Sequence, residues 1–102
     1  MSNKVYTIDE LTKKIGEILS IFPVQKAILF GSYAKGVADK DSDIDLVVDS
    51  RGKLKGLDFF EVLGYLQEGL EKNVDLIEQR EIIVGGKVDE EISKTGVIIY
   101  GK

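Results

Sequence analysis

The chain has 102 residues, 43% hydrophobic and 31% charged, with 14 Lys plus Arg against 18 Asp plus Glu for a net charge of −4. This balance fits one globular domain spanning 1–102, excludes the disordered class of low hydrophobicity and high net charge, and argues against a broad footprint for duplex nucleic acid. Cysteine and histidine are absent, so disulfides and thiolate or imidazole metal sites are excluded, and any metal must be held by oxygen, which favours Mg²⁺, Mn²⁺ or Ca²⁺.

The N-terminal MSNKVYTIDELTKK lacks the apolar core of a signal peptide, and no apolar run reaches the ~20 residues of a bilayer span. A soluble cytoplasmic protein with no membrane contact is expected. Thr7 and Glu10 stand at capping-box spacing. Ile8, Leu11, Ile15, Ile18, Leu19 and Phe22 then recur at helical intervals, which predicts an amphipathic helix over residues 8 to 21, stopped by Pro23. VQKAILF (Val24 to Phe30) reads as a first strand ending at Gly31-Ser32. SYAKG predicts one or two helical turns with Ser32 as N-cap and Gly36 as the stop.

An acidic stretch follows. Five aspartates (Asp39, Asp41, Asp43, Asp45, Asp49) fall within eleven residues, where like charges repel unless a cation or water neutralises them. From Asp41 the pattern alternates, with Asp41, Asp43 and Asp45 on one face and Ile44, Leu46 and Val48 on the other, which predicts a second strand with a carboxylate face. RGKLKG (Arg51 to Gly56) is a polar loop whose Arg51, Lys53 and Lys55 read as solvated charges. LDFFEVLGYLQEGLEK predicts a largely apolar helix over residues 57 to 71, with Phe59, Phe60 and Tyr65 expected in the core unless an exposed subset forms a partner surface. NVDLIE (Asn73 to Glu78) predicts a third strand, with Asp75 and Ile77 opposite Val74 and Leu76. After Gly85-Gly86, KVDEEISKT reads as a short helix and GVIIY as a last strand. The sum is an α/β (α+β) fold, a mixed sheet of about four strands with helices packed against it.

Asp43 and Asp45, two residues apart on a strand, would have Cα atoms about 6.5–7 Å apart and side chains on one side. With Asp75 from a neighbouring strand they could hold two divalent ions, while Gly31-Ser32, at a strand end before a helical turn, suits a phosphate. An EF-hand reading of Asp39, Asp41, Asp43 and Asp45 fails, because Ile44 replaces the required glycine and Ser50 the required glutamate. Asp39, Asp41 and Asp49 are read as solvated loop residues.

GSYAKGVADKDSDIDLVV, with Gly31-Ser32, ten residues and then Asp43-Ile44-Asp45, resembles the signature of the polymerase β-like nucleotidyltransferase superfamily. The short chain and Asp75 in VDLIE are most similar to its minimal nucleotidyltransferase (MNT) branch, many of whose members are antitoxins beside HEPN-domain toxins. Lys35 departs from the arginine of many relatives, keeping charge but losing a bidentate phosphate contact. The resemblance implies an ATP donor, two Mg²⁺ ions bound by Asp43, Asp45 and Asp75, the triphosphate held by Gly31 and Ser32, and AMP transfer to a hydroxyl of a HEPN partner protein. Two other readings stand beside it: a non-catalytic antitoxin that acts by binding, and an adenylyltransferase of a small molecule such as an aminoglycoside. Either could involve an oligomer.

Overall fold

A computed structural model describes residues 2–101. The capping box forms as its spacing requires: the Glu10 amide donates to Thr7 Oγ1 at 3.0 Å and the Thr7 amide to Glu10 Oε1 at 2.9 Å. Helix α1 runs Ile8–Leu19 and buries Leu11, Ile15 and Leu19. It is two residues shorter than its apolar pattern, because the chain turns through residues 20–23 ahead of Pro23. Strand β1 (Lys26–Phe30) and the short helix α2 (Gly31–Lys35) follow, and Gly36 closes α2 in the left-handed region. Next come β2 (Ile44–Asp49), α3 (Asp58–Leu70), β3 (Val74–Glu78), a single 3₁₀ turn at Gln79–Glu81, α4 (Lys87–Thr95) and β4 (Val97–Gly101).

The strands form one mixed sheet in the order β3-β2-β1-β4. β1 is antiparallel to both β2 and β4, whereas β2 and β3 are parallel. Parallel neighbours require a crossover, and α3 supplies it. The core joins α1, α3 and one sheet face: Leu11, Ile15 and Leu19 from α1 and Val62, Leu66 and Leu70 from α3 are fully buried with Leu29, Ile44, Leu46 and Val48. The opposite sheet face carries Asp45 and Asp75. Part of it is roofed by α4 and the preceding loop, which enclose with Ile28 and Val47 a cleft of about 260 Å³.

Two expectations about the helices and strands need correction. Asp41 and Asp43 precede β2 rather than lying in it, because a side-chain-bonded turn intervenes. Asp39 Oδ1 accepts the Asp41 amide at 2.9 Å and Ser42 Oγ accepts the Asp39 amide at 2.9 Å. In α3 the buried positions are Val62, Leu66 and Leu70, four residues apart, so Phe60 and Tyr65 fall off that stripe and are 64% and 50% exposed. Phe59 is half-buried and meets Phe60 edge-on, with ring centroids 5.6 Å apart.

The end of α3 is tied to the N-terminal segment by Tyr6, whose buried hydroxyl donates to the Leu70 carbonyl at 2.7 Å. Tyr6→Phe leaves that carbonyl, at a helix C-terminus, without its donor. The variant should lose about 1–2 kcal/mol in urea unfolding at an unchanged m-value. A loss below a few tenths would mean that water replaces the bond at no cost.

Candidate active site

Three segments meet where β1, β2 and β3 present the carboxylate face. β1 ends at Phe30, which pairs with Asp45 across the antiparallel ladder. The chain then turns at Gly31, with φ 74°, a left-handed conformation that costs any residue with a Cβ. A Cβ at Gly31 would also collide with the Asp45 carboxylate. Glycine therefore lets backbone and acid lie in contact.

On its other side β2 pairs with β3 so that Asp45 stands opposite Asp75. Adjacent strands lie ~4.8 Å apart and in-register residues project to the same face, so these two acids stand side by side. Asp43 sits two residues ahead of Asp45, in the loop that enters β2. The Ile44 amide donates to the Asn73 carbonyl at 3.0 Å, which ties that entry to the start of β3.

Asp45 is half-buried, whereas Asp43 and Asp75 are exposed. Burial is the main cause, and the charges of Asp75, Asp43 and Glu91 the next, that push the Asp45 carboxyl from 3.8 up to about 6, with Lys35 pulling the other way. The site is thus short of positive charge. Among the described residues no three acidic side chains close into a ready-made cage. An all-oxygen donor set with this charge deficit fits a hard divalent cation such as Mg²⁺.

Gly31 meets the Asp45 carboxylate, but Ser32 is not the N-cap. Because the chain turns one residue earlier, Phe30 takes that position without a side-chain bond and Ser32 becomes the second residue of α2. The Ser32 carbonyl accepts the Val37 amide at 3.0 Å, and among the described residues its hydroxyl makes no hydrogen bond with other protein groups. Asp39 and Asp49 serve turns, Asp49 Oδ1 accepting the Arg51 amide at 3.0 Å, and Asp41 pairs only with the exposed Lys40 at 3.4 Å.

Sequence reasoning missed Glu91. α4 lies beside α2, where Glu91 Oε1 meets Lys35 Nζ at 3.3 Å. Nothing local separates Glu91 from Glu90 on so polar a helix, and only the docking of α4 selects it.

The fold agrees with what the chain is similar to. The chain belongs to the family described as nucleotidyltransferase domain, matched over residues 10–99, and is a nucleotidyltransferase of the minimal type. Protein adenylyltransferase MntA of Thermococcus cleftensis is 39% identical over 67 residues, 66% of this chain and 68% of that one. A Methanocaldococcus jannaschii protein, provisionally named a protein adenylyltransferase, is 35% identical over 86 residues, 80% of this chain and its own full length. Among solved structures, a crystal structure of a toxin–antitoxin with AMP-PNP superposes with a TM-score of 0.76 at 27% identity, covering 89% of this chain and 73% of that one.

Proposed function

We propose that the protein transfers AMP from ATP, with Mg²⁺, to a hydroxyl of a partner protein, and that it is the antitoxin of a pair whose toxin has a HEPN domain. The observation that carries this reading is the contact of Gly31 with the Asp45 carboxylate while Asp45 stands in register with Asp75. A phosphate-binding turn and a pair of acids thereby share one point on the sheet. The relatives named as protein adenylyltransferases and the toxin–antitoxin neighbour bound to AMP-PNP support the donor and the partner class.

In this reading the residues divide the work. Gly31 and Ser32 hold the triphosphate, the glycine by letting the backbone approach and the serine through its hydroxyl. Asp43 and Asp45 would hold the metal ions, and Asp75 would bind metal on the acceptor side and assist removal of the hydroxyl proton. Bound Mg²⁺ supplies neutralisation of the triphosphate charge and acidifies the acceptor hydroxyl. The acceptor oxygen forms a bond to the α-phosphorus, the α–β bond breaks, and pyrophosphate leaves. Among the described residues no helix is long and apolar enough to cross a membrane, and an ATP-consuming enzyme without cysteine suits the cytoplasm.

The test is transfer of label from α-labelled ATP, with Mg²⁺, onto the proteins of a host lysate and onto any protein that co-purifies, beside Asp43→Asn. One labelled protein, at least 100-fold weaker with the variant, is the expected outcome. Equal labelling by both proteins would remove Asp43 from the mechanism. Protection of cells by Asp43→Asn as complete as that by the wild type would favour an antitoxin that works by binding alone.

A further inference from the structure

The loop that delivers Asp43 is exposed, yet it is tied from beneath by a lysine the reaction has not yet used. Lys72, just past the end of α3, is 3% exposed. Its Nζ donates to the Lys40 carbonyl at 2.8 Å and has no other hydrogen-bond partner among the described residues. Lysine is seldom buried this far, since desolvating its charged end is costly unless something compensates. The one compensating bond shown here is to a carbonyl of the acidic turn.

Lys72 also lies beside the reacting face. It lines a polar cleft of about 190 Å³ with Lys40, Ser42, Asp43 and Asn73. Asn73, its neighbour in sequence, receives the Ile44 amide. The segment 72–73 therefore grips the chain at Lys40 and again at Ile44, bracketing Asp43. Between these grips the turn is closed only by its own bonds, Asp39 to Asp41 and Ser42. Its exposed ion pair, Lys40 with Asp41 at 3.4 Å, adds little.

We propose that Lys72 is a positioning residue for Asp43, holding the Lys40 carbonyl so that the acidic turn presents Asp43 beside Asp45. The proposal rests on the metal-binding role given to Asp43 above. Groups that orient a metal ligand commonly matter 10- to 100-fold, and an error of about 1 Å in a reacting geometry can cost as much. Lysine suits the task because its long stem packs within the fold while the tip reaches a backbone acceptor.

The test compares Lys72→Met, which keeps the stem and removes the donor, with Lys72→Arg, which can still donate to the carbonyl. Mn²⁺ affinity is measured in the presence of AMP-PNP, and hydrogen exchange is followed across residues 39–43. Neither readout needs an acceptor. Lys72→Met is expected to weaken Mn²⁺ binding at least tenfold and to speed exchange in 39–43 about tenfold. AMP-PNP affinity without metal should stay within threefold, because the triphosphate turn is untouched. Lys72→Arg should recover most of the Mn²⁺ affinity. Unchanged Mn²⁺ affinity in a folded Lys72→Met protein overturns the proposal, as does a loss that arginine does not rescue. Failure of the wild type to label any acceptor would count against the proposed reaction and leave both of these readouts to decide the role of Lys72.

Discussion

Asp45→Asn is expected to abolish AMP transfer and, in the absence of metal, to make the protein more stable. The loss of activity follows from removing the metal ligand proposed above, at the point where Gly31 and Asp75 converge. Several kcal/mol of charge stabilisation depend on that position, so kcat should fall about 10³-fold or more. The gain in stability follows from the same charges with the opposite sign. In the folded protein the Asp45 carboxyl is raised from 3.8 to about 6, by burial first and then by Asp75, Asp43 and Glu91. A carboxyl raised on folding contributes stability that is fully present below 3.8 and lost as pH rises through about 6. At pH 7.5 the wild type has therefore lost it, whereas asparagine carries no charge to desolvate.

Because Asp45 is only half-buried, solvent screening reduces the value of this shift to about 1 kcal/mol, which for a chain of this size is about 4–8 °C in Tm. Thermal melts in EDTA at pH 7.5 should show Asp45→Asn above the wild type by that amount, and the gap should close below about pH 4. Mg²⁺ should narrow it at pH 7.5 by stabilising only the protein that can bind it well. A variant that melts below the wild type at both pH values would show that Asp45 is held by favourable bonds rather than strained by its neighbours.

Gly31→Ala should be the most damaging single-methyl change in the chain outside the core. Two costs coincide there. The left-handed backbone, φ 74°, costs about 1–2 kcal/mol for a residue with a Cβ. The new methyl would also displace the Asp45 carboxylate, at about 1–3 kcal/mol for overpacking. A loss of about 2–5 kcal/mol in denaturant unfolding is expected, with transfer reduced at least 100-fold because the displaced group is the proposed ligand. Gly36 supplies the internal control. Its φ is 75° but nothing lies within 4 Å of a Cβ there, so Gly36→Ala should cost only the conformational part. The double variant Gly31→Ala/Asp45→Gly should recover the collision part and not the backbone part. A Gly31→Ala loss no larger than that of Gly36→Ala would disprove the steric contact with Asp45.

The features legible in the sequence are those whose cause spans a few residues. The Thr7–Glu10 capping box is one turn of helix, and the alternation that sets Asp75 against Val74 and Leu76 is the pleat of one strand. The Gly31-Ser32 to Asp43-Ile44-Asp45 spacing lies within one unit of strand, short helix, turn and antiparallel strand, so Gly31 and Asp45 meet through neighbouring elements. The same pattern logic failed where a side-chain-bonded turn or the packing of distant elements intervened. Asp41 and Asp43 alternate as strand residues should, but the Asp39 turn and the Lys72 bond to Lys40 hold them short of β2. Phe60 and Tyr65 have the composition of a core, but the sheet accepts only the Val62, Leu66, Leu70 stripe of α3.

That Asp45 and Asp75 stand side by side was likewise decided by tertiary structure. Asp45 and Asp75 are thirty residues apart in number, and they meet only because α3 carries β3 back to lie parallel to β2 in that register. A slip of one residue would turn Asp75 to the opposite face. Glu91 reaches the site only through the docking of α4 against α2. The sequence alone determined the elements and the chemistry they could carry, because propensity, capping and pleat act between neighbours. The sheet order, the register and the helix faces that found partners were settled by burial summed over the whole chain, a quantity that no short stretch contains.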